Sequence, residues 1–144
     1  MQRFCNIVTD SVAKRFDKGI ELVEDIPGRG AKAEKGFQIV YNARLFLRRG
    51  DEVTYDSRSI ALYRDHLNIR QIGSVELIDH TTTLGKRQPI ACVEKSLYGM
   101  QAGGFREILA SPHLCYGENG IAGLIPPNAM LRVQLWVQDV RRTN

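Results

Sequence analysis

The chain has 144 residues, of which 43% are hydrophobic and 25% are charged, and its formal net charge at pH 7 is +4. This length and composition fit one globular domain that can bury a core without disulfides or metals. The densest basic sites, Arg48–Arg49, Lys86–Arg87 and Arg141–Arg142, are scattered along the sequence. Nucleic-acid binding usually requires basic residues gathered on one face, so we expect no nucleic-acid partner.

The cysteines and the N-terminal residues indicate in which cellular compartment the protein is found and whether it binds a metal. Cys5, Cys92 and Cys115 form no C-x-x-C pair, so we expect no metal site. An odd number of cysteines in a chain of this size favours a reducing compartment. The N-terminal residues lack the apolar stretch of a secretory signal, and no segment is long enough to span a membrane. We therefore expect a cytoplasmic protein with no membrane partner.

The first third of the chain predicts strands. Residues 1–18 are mixed and polar, and we interpret them as an N-terminal extension that packs on a domain spanning residues 19–144. Strand-like segments follow at 19–26, 37–46 and 52–56. In the second of these, alternate apolar residues share one face: Phe37, Ile39, Tyr41, Ala43 and Leu45.

The middle of the chain contains the only good helix candidate. Residues 57–80 are hard to assign, with a possible helical turn at 59–65 and a short strand at 75–78. The stretch 88–100 predicts a helix, since Pro89 suits a first turn and Gly99 suits a helix end. The apolar residues at helical spacing are Ile90, Val93, Leu97 and Met100.

Two strands complete the sequence. Residues 105–110 form the first, and residues 131–138 alternate cleanly between apolar and polar side chains. Such alternation predicts an antiparallel strand with one buried face. The inventory is typical of the α+β class, with an antiparallel sheet and one short helix packed on its inner face.

Three ordered motifs lie in the C-terminal half. They are Gly-Met-x-x-Gly-Gly at 99–104, Pro-x-x-x-Tyr-Gly-x-x-Gly at 112–120 and Ile-Pro-Pro-Asn-Ala-x-Leu at 125–131. Their order and spacing resemble the signature of the FKBP-type peptidyl-prolyl isomerases without a gap from Leu84 to Val137. Residues 50–57 resemble the family's Gly-x-x-Phe-Asp-Ser element, with Tyr55 in place of Phe. Residues 1–18 fall outside the family core, and segment 58–79 is enlarged.

This resemblance implies both a fold and an activity. The fold would be an antiparallel β-sheet wrapped around one short α-helix. The activity would be cis–trans isomerisation of X-Pro bonds in peptides or unfolded proteins, assisting protein folding. Such a reaction needs an apolar hole for the proline ring and donors for the neighbouring carbonyl groups, so we expect no cofactor.

The resemblance also implies the catalytic residues. Tyr41 and Tyr55 would form part of the pocket wall, and Asp56 would be a polar partner at its rim. The backbone N–H of Ile90 and the hydroxyl of Tyr116 would each donate to a peptide carbonyl. From the sequence alone, Tyr41 could instead belong to the core, and Asp56 could cap a turn.

The implied substrate-binding residues include positions that depart from the family pattern. The family usually has an aromatic side chain at three of these positions, which here are Val93, His80 and Val133. We therefore expect a wider, less aromatic pocket with weakened affinity for the family's macrolide inhibitors. The full predicted lining is Pro89, Val93, His80, Ile121, Ile125 and Val133.

The lost aromatic side chains leave an alternative open. The chain could be a catalytically weak module that binds proline-containing partners or acts as a chaperone. Segment 58–79 contains apolar residues that could bind unfolded chains or could equally be local core. A covalent hydrolase has little support, because no Ser, Cys or His arrangement resembles a triad.

Overall fold

The computed structural model describes residues 14–53 and 68–142. Within these ranges the chain forms nine strands, one α-helix and one 3-10 helix at Pro112–Leu114. The helix α1 is Ala91–Leu97. The strands are β1 Lys14–Asp17, β2 Ile20–Ile26, β3 Gln38–Leu47, β4 Glu52–Val53, β5 Ile69–Ile72, β6 Val75–Ile78, β7 His80–Thr83, β8 Phe105–Ala110 and β9 Leu131–Arg141.

One antiparallel sheet dominates the architecture. Its strands run in the order β1, β2, β8, β9 and β3, and both β4 and β7 pair with the far side of β3. Strands β5 and β6 form a separate hairpin. The sheet wraps around α1, which contacts β8 and β9. The predicted α+β class and its sheet-around-helix arrangement are confirmed.

Strand β9 shows why the alternation in the sequence was informative. Its four inward residues, Leu131, Val133, Leu135 and Val137, are at most 1% exposed, whereas the residues between them are partly exposed. Burying four large aliphatic side chains contributes roughly 1.5–3 kcal/mol each. The strand continues to Arg141 because residues 139–141 still pair with the start of β3.

The helix is shorter than the sequence predicted. It begins at Ala91, because the backbone of Ile90 is extended, with φ −62° and ψ 154°. Pro89 therefore precedes the helix and does not lie in its first turn. At the other end Tyr98 is also extended, and Gly99 adopts a φ of +84°, which a glycine tolerates. The helix buries Cys92, Val93, Ser96 and Leu97 against the sheet.

The C-terminal end of α1 is held by a buried arginine. Nη1 of Arg106 in β8 donates hydrogen bonds to the carbonyl oxygens of Ser96 and Tyr98, at 2.7 and 2.9 Å. The other guanidinium nitrogens contact Asp25 in β2 at 3.1 and 3.3 Å. The last carbonyls of a helix have no intrahelical partner. Arg106 supplies one and so fixes the helix to the sheet.

The described part of segment 58–79 is the β5–β6 hairpin, which Asn42 ties to the sheet. Asn42 is fully buried in β3, and its Nδ2 donates to the Ile78 carbonyl at 2.8 Å and to Asp79 at 2.7 Å. Asp79 in turn accepts two hydrogen bonds from Arg70, and hydrogen bonding from Arg70 lowers the pKa of Asp79 below its usual value. The helical turn expected at 59–65 lies outside the described residues.

The extension expected at residues 1–18 is described only in part. Residues 14–17 form β1, which adds an edge strand to β2. Phe16 lies under the guanidinium of Arg106, with 4.8 Å between the Cζ atom and the ring centroid. The earlier residues lie outside the described ranges, so their packing stays a prediction. None of the helices in the described part of the chain has the length and apolar character of a membrane span.

Candidate active site

A pocket of about 330 Å³ opens between β3, β7, the start of α1 and the loop after β8. Its apolar surface comes from both the sheet and the helix, and polar groups lie along β7 and the loop that follows it. The residues lining it are Tyr41, Ala43, Leu45, His80, Thr81, Thr82, Gln88, Pro89, Ile90, Val93 and Tyr116. This volume lies at the lower end of the range for small-molecule sites, roughly 300–1,000 Å³.

The structure brings together six of the residues that the sequence predicted for the site. They come from β3, β7, α1 with its preceding loop, and the loop after the 3-10 helix. These residues are Tyr41, His80, Pro89, Ile90, Val93 and Tyr116. Tyr55 and Asp56 lie outside the described residues.

Three predicted lining residues do not lie on the pocket wall. Val133 has no exposed surface, because it lies between Leu45 and Ile108 on the inward face of β9. Ile125 is only 4% exposed and belongs to the core cluster. Ile121 bridges to Ile125 and exposes its side chain at the surface. A valine is shorter than the aromatic expected at position 133, so it fills the core without reaching the pocket.

Tyr41 and His80 form the wall contributed by the sheet. They are paired across β3 and β7, and their ring centroids lie 5.3 Å apart with a 31° angle between the planes. On the other side of β3, a β-bulge between Val40 and Tyr41 shifts the register of its pairing with β9. Tyr41 is 6% exposed, so it belongs to both the core and the pocket. The two interpretations that the sequence left open for Tyr41 are therefore compatible.

His80 is an uncharged member of this wall at neutral pH. Burial lowers the pKa of His80 below its usual value of 6.5, and the nearby Asp79 carboxylate opposes that shift only in part. A neutral imidazole offers one donor and one acceptor, and its ring faces add apolar surface. The pocket therefore holds no charged side chain among its described lining residues near pH 7.

The start of α1 provides the floor and a backbone donor. Val93 in the first turn is 4% exposed, and its side chain lies at the base of the pocket. The carbonyl of Ile90 accepts the first hydrogen bonds of the helix, from the N–H groups of Val93 and Glu94. The first N–H groups of a helix have no intrahelical acceptor. The Ile90 N–H makes no hydrogen bond with any described residue, and Ile90 lines the pocket.

Gln88 shapes the loop that enters the helix, although sequence reasoning did not identify it. Its Oε1 accepts hydrogen bonds from the Thr82 hydroxyl and the Thr83 N–H, both at 2.8 Å. These contacts fix the turn between β7 and Pro89. No motif signals Gln88. By contrast, Ala43 and Leu45 alternate with Tyr41 along one strand, so the period of two could have placed them in the wall.

The loop that carries Tyr116 is a tight turn that depends on glycine. The N–H of Gly117 donates to the Pro112 carbonyl at 2.8 Å, and the N–H of Gly120 donates to the Tyr116 carbonyl at 3.0 Å. Gly120 has a φ of +59°, and a Cβ there would lie 2.2 Å from the carbonyl oxygen of Ile125. The second glycine of the Tyr-Gly-x-x-Gly motif is therefore sterically required in the turn that carries Tyr116.

These residues form a small cavity with both apolar and polar lining, in a sheet that wraps around a helix. The sequence profile of the FKBP-type peptidyl-prolyl cis-trans isomerases matches residues 30–135 of this chain. The chain belongs to this family. The family membership expected from the three motifs is thus confirmed.

Individual relatives of this FKBP domain are distant. The chain is 37% identical to peptidyl-prolyl cis-trans isomerase FKBP9 of Rattus norvegicus over 57 residues, which is 40% of this chain and 10% of that protein. It is 41% identical to FK506-binding protein 2 of Candida glabrata over 59 residues, 41% of this chain and 43% of that protein. The matched segments thus span less than half of either relative.

Solved structures show the same fold. The N-terminal domain of FKBP42 from Arabidopsis thaliana matches with a TM-score of 0.68 and 18% identity, covering 92% of this chain and 94% of that one. FkpA from Escherichia coli matches with a TM-score of 0.66 and 21% identity, covering 92% of this chain and 53% of that one. At these identities the likeness establishes the FKBP architecture alone.

A second, larger depression of about 700 Å³ lies on the outer side of α1 in this FKBP domain. Phe16 and Tyr98 contribute aromatic surface to it, and Asp17 and Lys95 form an ion pair of 3.5 Å beside it. Only Pro89 is shared with the smaller pocket. The smaller pocket is the candidate active site, because it contains Ile90, Tyr116 and the wall of β3.

Proposed function

We propose that this FKBP domain catalyses cis–trans isomerisation of X-Pro bonds in peptides or unfolded proteins and thereby assists their folding. One observation carries the proposal. Two potential donors to a peptide, the Ile90 N–H and the Tyr116 hydroxyl, border the same small pocket whose base is Val93 and whose wall is Tyr41.

The reaction needs a site of this kind. Rotation about an X-Pro bond crosses a barrier of roughly 18–20 kcal/mol, because the amide nitrogen shares its lone pair with the carbonyl. The uncatalysed reaction takes tens of seconds or longer. A catalyst must bind the twisted amide more tightly than either planar form, and each tenfold in rate requires about 1.4 kcal/mol of that preference.

The pocket favours the twisted amide in two ways. The proline ring would rest on Val93 and Tyr41, where no charged side chain among the described lining residues would favour the planar, more polar amide. The Ile90 N–H would bind one peptide carbonyl and the Tyr116 hydroxyl another, which holds the two sides of the rotating bond in place. Both donors sit on backbone that is fixed elsewhere, Ile90 by α1 and Tyr116 by its glycine turn.

A protease-free isomerisation assay on a short X-Pro peptide tests the proposal. Wild type should accelerate the reaction over buffer, and Tyr116→Phe should reduce kcat/KM about tenfold, equivalent to about 1.4 kcal/mol. Tyr98→Phe is the matched control, because it removes the same hydroxyl from the outer side of α1. A wild-type rate equal to that of buffer would contradict the proposal.

A second candidate function is supported by Val93 and His80. Where the family usually has aromatic side chains, this pocket has a small aliphatic floor and an imidazole in the wall. Such a site could bind proline-containing partners, or act as a chaperone, with little turnover. Measurable peptide binding by calorimetry, combined with a rate indistinguishable from buffer, would favour this second function.

A further inference from the structure

Two cysteines that neighbour pocket residues in the sequence are in direct contact with each other. Cys92 in α1 is fully buried, and Cys115 in the loop before Tyr116 is half-buried. Their sulfur atoms lie 3.6 Å apart, within hydrogen-bond distance. Each cysteine immediately precedes a pocket residue, Val93 in the floor and Tyr116 at the edge. The two thiols are free, and they connect two elements that the pocket depends on.

We propose that Cys92 and Cys115 are a thiol–disulfide pair, a covalent modification site at which a small disulfide oxidant links the floor of the pocket to its edge. The bond itself does not depend on the proposed function. Its effect on the binding of X-Pro peptides rests on that function.

The environments of the two thiols set the order of the chemistry. Cys115 has partial access to solvent, and hydrogen bonding with Cys92 lowers its pKa. The pKa of Cys92 is raised mainly by its hydrogen bond with Cys115 and, to a smaller extent, by its burial. The thiolate is the attacking form, so Cys115 reacts first and Cys92 resolves the product.

The proposed oxidant is a low-molecular-weight disulfide such as oxidised glutathione. The Cys115 thiolate attacks one sulfur of the oxidant, the oxidant's S–S bond breaks, and one glutathione thiolate leaves. Cys92 then loses its proton and attacks the Cys115 sulfur, which releases the second glutathione thiolate. Overall the protein loses two protons and two electrons, and one disulfide is reduced to two thiols.

We expect that closing this bond moves the pocket. A disulfide is about 2.05 Å long, so the two sulfur atoms have to approach by about 1.5 Å from their present separation of 3.6 Å. Because Arg106 holds the C-terminal end of α1, the approach is expected to draw the Cys115–Tyr116 backbone toward the helix. Tyr116 then shifts relative to Ile90, which lines the same pocket, and peptide binding weakens.

The chemical test uses a Cys5→Ser background, so that only the two proposed thiols remain. The folded protein is incubated with oxidised glutathione and analysed by intact mass and peptide mapping. We expect the loss of two hydrogen atoms, a cross-link between the Cys92 and Cys115 peptides, and reversal by dithiothreitol. An unreacted protein, or a glutathione adduct that persists on Cys115, would overturn the proposal.

Two variants sharpen this test. Cys92→Ala removes the resolving thiol, so it should accumulate a glutathione adduct on Cys115. Cys115→Ala should stay unmodified, because the remaining thiol is buried. Faster modification of Cys115→Ala than of the Cys92→Ala variant would refute the assigned order, and this comparison remains informative even if one variant folds less stably.

The functional readout is peptide affinity, measured on the same samples. Oxidation should weaken binding of an X-Pro peptide at least fivefold and reversibly, while Cys115→Ala should not respond to the oxidant. If the bond forms with no change in affinity, the predicted movement of Tyr116 is wrong. If the reduced protein shows no isomerase activity, the proposed function fails, while the mass readout still decides whether the thiol pair exists.

Discussion

Nη1 of Arg106 donates a hydrogen bond of 2.7 Å to the carbonyl oxygen of Ser96, in the last turn of α1. The same helix presents Val93 and the Ile90 N–H to the pocket at its other end. Since α1 spans only Ala91–Leu97, it cannot persist as an isolated helix in water. Its position depends on packing and on this contact, so Arg106 acts on the site from a distance.

We expect Arg106→Met to reduce the free energy of unfolding by about 2–4 kcal/mol. Methionine keeps much of the aliphatic volume but leaves the carbonyls of Ser96 and Tyr98 without their charged donor, and Asp25 without its partner. Hydrogen bonds from charged groups contribute about 1.5–3 kcal/mol, and breaking a buried charged network is more costly. Urea denaturation followed by circular dichroism measures this change.

Asp25→Asn is the matched control for the arginine. The side chain of Asp25 is 40% exposed, so its ion pair with Arg106 is partly screened and contributes about 1 kcal/mol or less. If Asp25→Asn destabilised the protein as much as Arg106→Met, the salt bridge rather than the helix carbonyls would be the main contribution of Arg106.

Val93→Trp should strengthen ligand binding. The indole would replace a small aliphatic floor with aromatic surface below a pocket of about 330 Å³. Aromatic contacts contribute about 0.5–1.5 kcal/mol beyond burial, so affinity for a macrolide inhibitor should rise roughly fivefold. The added volume can reduce stability by about 1–3 kcal/mol, which a parallel denaturation experiment would detect.

Val93→Leu separates aromaticity from size. It enlarges the floor at the same position without adding a ring. We expect its macrolide affinity, measured by calorimetry, to stay near that of wild type. Equal gains for Val93→Leu and Val93→Trp would show that apolar volume alone limits binding.

Much of the fold could be predicted because strand periodicity and turn motifs are local signals. The alternation of Leu131 to Val137 fixed an inward face, and the predicted strand at 105–110 agrees with β8. The ends of the helix were harder to predict from the sequence. Pro89 fits a first turn on propensity, yet Ile90 stays extended, and Gln88 holds the preceding turn through contacts with Thr82 and Thr83 that no local pattern encodes.

Site residues that lie in a recognisable sequence pattern could be predicted. Residues whose position depends on tertiary packing were harder to predict. Tyr116 lies in one of the three motifs and Ile90 within the gapless family resemblance from Leu84 to Val137, and the structure places both at the pocket. Val133 occupies an aromatic position of the family pattern, but its smaller side chain is enclosed by Leu45 and Ile108. The proximity of Cys92 and Cys115 depends on how α1 docks under the loop, which sequence spacing does not reveal.

The stability of the protein should fall as the pH drops below about 6.5. Burial lowers the pKa of His80 from its usual value of 6.5, so the unfolded chain binds a proton there before the folded protein does. Preferential protonation of the unfolded state reduces the free energy of unfolding as pH decreases through that window. The loss stops once the pH is below the folded pKa. Urea denaturation at pH 7.5, 6.5, 5.5 and 5.0 checks this prediction.

His80→Phe tests whether this residue is the source of the slope. The carboxylates with lowered pKa, Asp79 and Glu52, lose their contribution only near and below their usual values of 3.8 and 4.5. Between pH 6.5 and 5 the variant should therefore show a flatter dependence than wild type. An unchanged slope would assign the effect to another group.

Gly120→Ala should destabilise the Tyr116 loop more than Gly117→Ala does. Both glycines have similar left-handed backbones, with φ of +59° and +61°. A Cβ at Gly117 meets nothing within 4 Å, so that change should cost about 1–2 kcal/mol for the backbone alone. At Gly120 the Cβ would lie 2.2 Å from the Ile125 carbonyl oxygen, and relieving this clash should cost a further 1–3 kcal/mol, roughly.

The same two variants test whether the conformation of this loop affects peptide binding at the site. The Gly120 N–H donates to the Tyr116 carbonyl at 3.0 Å, so any displacement at Gly120 is transmitted to the tyrosine. Gly120→Ala should therefore weaken X-Pro peptide binding, measured by calorimetry at a temperature where both variants are folded, and Gly117→Ala should weaken it less. Equal losses of affinity and stability in the two variants would mean that backbone strain, and not the contact with Ile125, governs the loop.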